Sequence, residues 1–360
     1  MYRKIMGFLE AWKESEHRKP LILQGARQVG KTYSILEFGR THYENVAYFN
    51  FETNPKLNET FEENISPDYL IPILSHIAGQ TIVTEKTLIV FDEVQLCERA
   101  LTSLKYFCEN APDYHIIVAG SLLGVAVNRA KFSFPVGKVD MKTLYPMDME
   151  EFMLALGEDD LVEQIKKCFQ TDTPLPSALH DAAMQLYRQY LVVGGMPECV
   201  MQFAETKDYI LVRHTQDTIL ASYLNDMSKY NNLNEIKKTR LAYDNITVQL
   251  SKKNTRFQYK LIKKGGRASE FENAIEWLCL SGIVSQVYKV EQIKKPLENY
   301  RDIDAFKIYV SDLGLLCAKK DLAANDILYM VEEINDFKGG MAENLSLIHI
   351  SEPTRLRCIS

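Results

Sequence analysis

The sequence predicts an α/β protein: a parallel sheet with helices on both faces, then a mostly helical segment and a smaller module ending in a strand. Three observations predict it. The stretch LILQGARQVGKTYS, residues 21–34, sets a short apolar strand, a glycine-bracketed loop and a lysine–threonine pair in a row. The stretch TLIVFDEVQ, residues 87–95, ends four large apolar residues on two acids. From residue 150 to about residue 230, aromatic and aliphatic residues recur every three or four positions, the helical period.

Size and composition set the outer bounds. A chain of 360 residues has room for two or three domains, each with its own core. With 46% hydrophobic and 25% charged residues, the composition is that of an ordinary globular protein. A net charge of -6 argues against an overall coat of nucleic acid and leaves room for a local basic patch. Seven scattered cysteines with no C-x-x-C pair read as reduced thiols, not a disulfide frame or a zinc site. The opening MYRKIMGFLEAWKESEHRKP lacks a signal-peptide core, and no later run is a membrane span, so a cytoplasmic protein is expected.

Pro20 precedes the first strand, LILQ. Gly25, four residues, Gly30, Lys31 and Thr32 then follow the G-x-x-x-x-G-K-[ST] (Walker A) pattern. Backbone amides in such a loop can curl round an anion, and the helix expected from Lys31 adds the positive end of its dipole. The expected nucleotide-binding set is Gly25, Ala26, Arg27, Gln28, Val29, Gly30, Lys31, Thr32 and Tyr33. Lys31 would reach the β- and γ-phosphates, and the Thr32 hydroxyl would ligand Mg²⁺. VAYFNFE, residues 46–52, alternates as a second strand with Asn50 and Glu52 on its polar phase.

The apolar run Leu88 to Phe91 reads as a buried central strand, which carries Asp92 and Glu93 to the carboxyl edge of the sheet, where phosphate loops also sit. In this Walker B arrangement Asp92 would hold Mg²⁺ and Glu93 would polarise the attacking water. The alternative is an acidic pair that merely caps a helix. YHIIVAGS, residues 114–121, is a further strand, whose tip presents Ser121 to the γ-phosphate as a sensor. Lys31, Glu93 and Ser121 thus form the expected catalytic set. The order strand, loop, helix, strand, helix, strand, helix, strand is that of a doubly wound P-loop NTPase domain. The expected activity is Mg²⁺-dependent binding and hydrolysis of ATP as a switch. The alternative is a nucleotide-regulated DNA- or protein-binding module with negligible hydrolysis. The absence of an N-K-x-D guanine-reading signature leans toward adenine.

The stretches GARQVGKT, LIVFDEVQ, VAGSLLG, FPVGKVDMKTLYPMDMEEF and YLVVGGMPECV together resemble bacterial and archaeal ATPases of the AAA/STAND kind. The resemblance implies a P-loop ATPase core over 1–148, a helical lid over 149–231, a winged helix over 232–294 and the start of a truncated C-terminal domain over 295–344. It also implies that Gly195, Met196 and Pro197 lean on the nucleotide; the alternative is a helix-terminating turn with no ligand. Lys138 stands where relatives carry a γ-phosphate-sensing arginine, but a lysine lacks the bidentate fork. Arg129 is the other candidate, and either would act on a neighbouring subunit of a homo-oligomer. A protein client is implied and not identified.

His214 and Asp217 lie one turn apart and read as a surface pair on an amphipathic helix. Between Lys237 and Arg267 ten basic residues face one acid, Asp244, in a chain acidic overall. The pattern there, helix, helix, longer helix and strand, has winged-helix order, and double-stranded DNA is a candidate partner of residues 237–267. Against it, Glu270 and Glu272 open the expected reading helix. The end, LSLIHISEPTRLRCIS, resembles a translated sequencing-library adapter at the end of a metagenomic contig. Residues 345–360 are therefore expected to be foreign, with no helical logic, and the chain past about residue 325 to be partly disordered. Glu343 would be the first acid of a nuclease-like set whose partners lie beyond.

Overall fold

The computed structural model describes residues 1–125, 134–229, 233–251, 254, 256–330 and 335–350. It divides into two compact units, Arg3–Leu144 and the chain from Tyr145 onward with Met1 and Tyr2.

The first unit runs α1 (Ile5–Lys13), β1 (Leu21–Gln24), α2 (Lys31–His42), β2 (Asn45–Asn50), α3 (Lys56–Glu63), α4 (Pro67–Ala78), β3 (Thr87–Asp92), α5 (Glu98–Asn110), β4 (His115–Ala119) and β5 (Asp140–Thr143). The five strands form one parallel sheet in the order β2-β3-β4-β1-β5, an α/β P-loop fold. Every residue of β3 and β4 is buried, because each strand has a neighbour on both edges and helices over both faces. Phe49, Phe51, Phe61 and Phe91 pack there with ring centroids 5.5 to 6.0 Å apart. At these spacings edge-to-face packing adds to the burial of apolar area.

Two features depart from the sequence expectations. The second strand stops at Asn50, not at Glu52. The Asn50 side chain accepts hydrogen bonds from the amides of Glu52 (2.9 Å) and Thr53 (3.0 Å), which turns the chain out of the sheet and leaves Glu52 in the turn. The strand β5 was not anticipated: four residues, none fully buried, give no apolar run to read.

A buried histidine sits at the amino end of β4. Its Nδ1 lies 2.7 Å from the Tyr43 hydroxyl, and its ring meets Trp12 edge-on. Burial, with Arg18 and Lys13 nearby, pulls the His115 pKa down from 6.5 to about 4. The imidazole is therefore neutral in the fold, and its contribution is complete above the unfolded value near 6.5 and lost as pH falls toward 4. Urea unfolding at pH 7 and pH 4.5 is expected to show a loss of about 2 kcal/mol from this group. The His115→Asn variant should lose correspondingly less over that interval; equal losses in both proteins would refute the assignment.

The second unit contains α6 (Met149–Ala155), α7 (Asp159–Gln170), α8 (Ser177–Val193), α9 (Pro197–Thr206), α10 (Tyr209–Lys229), α11 (Leu233–Ser251), α12 (Tyr259–Ile262), α13 (Ala268–Leu280), β6 (Val284–Val290), β7 (Arg301–Val310), α14 (Leu313–Lys319), α15 (Ala324–Leu328) and α16 (Asn335–Ile350). Helices fill residues 149–229 as the periodicity predicts, and His214 and Asp217 are exposed on α10. β6 and β7 form an antiparallel hairpin across the expected boundary at residue 294. The described cysteines Cys97, Cys108, Cys168, Cys199, Cys279 and Cys317 are all unpaired thiols. No described helix is long and apolar enough to cross a membrane.

The expectation of a partly disordered, non-helical chain end is corrected for the described residues. α16 runs unbroken through residues 345–350, and α15 and α16 occupy chain expected to be partly disordered. Met341, Leu345 and Ile348 recur at helical spacing and are buried, while Asn344 bonds both the amide and the carbonyl of Val310 at 2.8 Å. Glu343 is paired with Lys307 at 2.8 Å. Among the described residues no group of three His, Cys, Asp or Glu side chains could hold a metal ion. Residues 351–360 lie outside the described residues.

Candidate functional site

The parallel register brings the chemistry to one edge. β1 ends at Gln24, so the loop from Gly25 to Gly30 leaves the sheet at its carboxyl edge and α2 begins at Lys31. β3 lies beside β4 with Phe91 opposite Val118, which carries Asp92, Glu93 and Ser121 to the same edge. Gly25 has φ +148, and a Cβ there would stand 2.2 Å from the Leu144 carbonyl oxygen, so no side chain fits. Gly25→Ala is accordingly expected to displace the loop and weaken nucleotide binding by about tenfold, measured by equilibrium titration. Wild-type affinity in that variant would contradict the cradle geometry.

Lys31 is buried at 7% exposure, and its ammonium donates to the carbonyls of Gly25 (3.0 Å) and Ala26 (2.8 Å). Burial pulls its pKa down to about 8, opposed by the negative charges of Glu93 and Asp92 and assisted by Arg27. The Thr32 hydroxyl donates to Asp92 Oδ2 at 2.9 Å, joining residues 60 apart in the chain. The other Asp92 oxygen, Oδ1, accepts the Glu93 amide at 3.0 Å. Glu93 takes a left-handed backbone (φ +52), and its Oε2 accepts from Gln95 and, at 3.4 Å, from the Ser121 hydroxyl. The acidic pair therefore does not cap a helix; Asp92 and Glu93 face the loop and the β4 tip.

The loop residues divide by exposure. Ala26 and Val29 are buried, Arg3 bonds the Val29 carbonyl at 2.9 Å, and Arg27 is half-buried. Gln28 adopts φ +66 and buries its Oε1 without a hydrogen-bond partner among the described residues. Tyr33 projects from the first turn of α2 at 57% exposure.

Of the other expected residues, Lys138 lies elsewhere on the first unit. Lys138 pairs with Glu109 at 2.9 Å, two residues before β5 begins opposite Leu21. That is the amino edge of the sheet, about 13 Å along the strands from the loop of its own chain. Arg129 lies outside the described residues. Pro197 belongs to the second unit, where it opens α9 after a tight turn. There the Asp312 carboxylate, fully buried, accepts Gly195 N at 2.6 Å and Leu315 N at 2.8 Å, and the amides of Met196 and Gly314 also favour its charged form. A Cβ on Gly195 would sit 1.9 Å from the Met147 carbonyl oxygen. Burial pushes the Asp312 pKa up to about 6 against the pull of those amides.

Sequence reasoning missed Tyr48. Its hydroxyl donates to Asp92 Oδ2 at 2.7 Å and accepts from Asn50 Nδ2 at 3.2 Å. The available signal was the alternation of β2, which puts residue 48 in phase with Asn50.

Residues 17–153 match the family model described as the AAA domain, and residues 184–326 match a domain of unknown function, DUF8612. No curated protein matches the chain. The fold is similar to C. elegans PCH-2 (11% identity, TM-score 0.32), over 57% of this chain and 63% of that one, so the chain spans less than two thirds of that protein. It is also similar to the Aeropyrum pernix ORC2 protein in ADPNP-ADP complexes (12% identity, TM-score 0.43), over 97% of this chain and 96% of that one. A third is the Thermotoga maritima RuvB Holliday junction branch migration motor (15% identity, TM-score 0.33, 78% and 87% covered).

Proposed function

We propose that the first unit binds ATP as its magnesium complex and hydrolyses it, with turnover serving as a switch. The observation that carries this reading is the Thr32–Asp92 hydrogen bond of 2.9 Å, which puts a hydroxyl and a carboxylate side by side at the mouth of a glycine loop. Hard oxygen donors of this kind fit Mg²⁺, and a buried ammonium at a helix start fits a triphosphate. Bound there, the ion would neutralise charge on the β- and γ-phosphates. The amides of Gly25 to Gly30 cradle the anion and Lys31 meets its terminal phosphates. Glu93 orients and deprotonates the attacking water, and Ser121, whose hydroxyl donates to Glu93 Oε2 at 3.4 Å, senses the γ-phosphate. The AAA-domain match over residues 17–153 supports nucleotide binding in general.

Glu93→Gln tests the hydrolytic part. The variant is expected to retain ATP while phosphate release falls by at least about a hundredfold. Equal release from wild type and variant would transfer support to the second reading, a nucleotide-regulated module with negligible hydrolysis. One observation favours that second reading: Glu93 Oε2 is already engaged by Gln95 and Ser121.

For the second unit we propose a helical lid over 149–231 and a winged helix. The order α11, α12, α13, β6, β7 supports the latter and extends it to residue 310. Lys238 pairs with Glu235 and Lys263 with Glu270, whereas Lys237, Arg256, Lys260, Lys264 and Arg267 are exposed and make no ion pair with described residues. Lys252 and Lys253 lie outside the described residues. Duplex DNA is the proposed partner of this run, with affinity falling about tenfold or more between 50 and 200 mM salt. Absence of binding at low salt, or a flat salt series, would remove DNA from the account.

A further inference from the structure

The geometry points to Tyr48 as a positioning residue for the carboxylate that holds magnesium. This inference rests on the nucleotide reading of the site and deepens it. Tyr48 lies on β2, the edge strand, in register with Val90 while Asn50 is in register with Asp92. Its side chain and that of Asn50 share one face of the strand, so the phenol reaches Asp92 along the sheet from the side opposite the loop. The Asn50 amide donates to the phenol oxygen at 3.2 Å, which occupies an acceptor position and leaves the phenol proton for Asp92 Oδ2 at 2.7 Å.

The aspartate is consequently gripped from three elements: Thr32 on α2, Tyr48 on β2 and the Glu93 amide just past β3. Thr32 and Tyr48 share one oxygen, and they differ in what happens when nucleotide enters. The Thr32 hydroxyl is itself expected to serve as a ligand, which withdraws it from Asp92. Tyr48 is then the side chain, among those described, that still fixes the rotation of the carboxylate. Groups that orient a metal ligand in this way contribute to metal affinity without touching the metal.

The test uses the full chain and the Tyr48→Phe variant, which keeps the ring and deletes only the hydroxyl. A fluorescent adenosine triphosphate analogue is titrated in EDTA and across a magnesium series. The expected result is an unchanged dissociation constant in EDTA and a magnesium midpoint raised about tenfold, the effect of one hydrogen bond to a charged group. In the Asp92→Asn background the same change should have no further effect on the midpoint. An unshifted midpoint overturns the inference, and so does an equal loss of affinity with and without magnesium, which would mark Tyr48 as packing. Absence of any magnesium-dependent binding by the wild type would instead overturn the reading of the site, and this inference with it.

Discussion

Lys31→Met is expected to lower the affinity for adenosine triphosphate by about a hundredfold, close to 3 kcal/mol, while leaving the melting temperature unchanged or slightly raised. The two effects have separate causes. In the fold the ammonium is buried at 7% exposure and held by two carbonyls, a costly position that burial registers as a pKa near 8. Methionine matches its length, keeps the apolar stem packed and removes the charge, so the folded state loses little. The nucleotide loses a charge-assisted bond to its terminal phosphates from a buried ammonium, and such a bond is stronger away from water. Calorimetric titration of both proteins decides it. An affinity within threefold of wild type would mean that Lys31 serves only to tie the loop to itself.

Asp312→Ala is expected to cost about 4 kcal/mol of stability in urea unfolding. The wild-type carboxylate, fully buried, accepts the amides of Gly195 at 2.6 Å and Leu315 at 2.8 Å, and the nearby amides of Met196 and Gly314 also favour its charge. Alanine leaves these donors without an acceptor and deletes the cap of α14, worth about 1 kcal/mol by itself. Relief of a buried negative charge offsets part of this, which is why the expected figure is below the sum of the losses. Asp312→Asn keeps the shape and one acceptor oxygen and should fall between wild type and Asp312→Ala. A loss under about 1 kcal/mol for Asp312→Ala would show that the turn at Gly194 and Gly195 holds its form without the carboxylate.

Much of the first unit was legible before any coordinates. Leu88 to Phe91 is an unbroken apolar run because β3 is covered on both faces, and that cause leaves its mark in the sequence. The loop was legible because few residue types tolerate its backbone, as at Gly25. The strand β5 was not legible, since an edge strand whose residues are half-buried or exposed needs no apolar pattern. Residues 345–350 read as foreign because their neighbours in the chain explain nothing about them. Leu345 and Ile348 are buried on one face of α16, which is set by packing within the second unit.

The sequence by itself determined the local chemistry: a glycine-bracketed lysine and threonine, two acids at a strand end, a serine at another, and a run of helices. Each of these is a property of a short stretch, because helical and strand periods and loop sterics act over a few residues. Only the tertiary structure decided which distant groups meet. Tyr48 reaches Asp92 across 44 positions and Asp312 reaches Gly195 across 117, through sheet register and through the docking of a helix start on a turn. Neither partner is marked in its own neighbourhood, since a hydrogen bond between distant residues constrains where the backbones lie and asks almost nothing of the residues beside them.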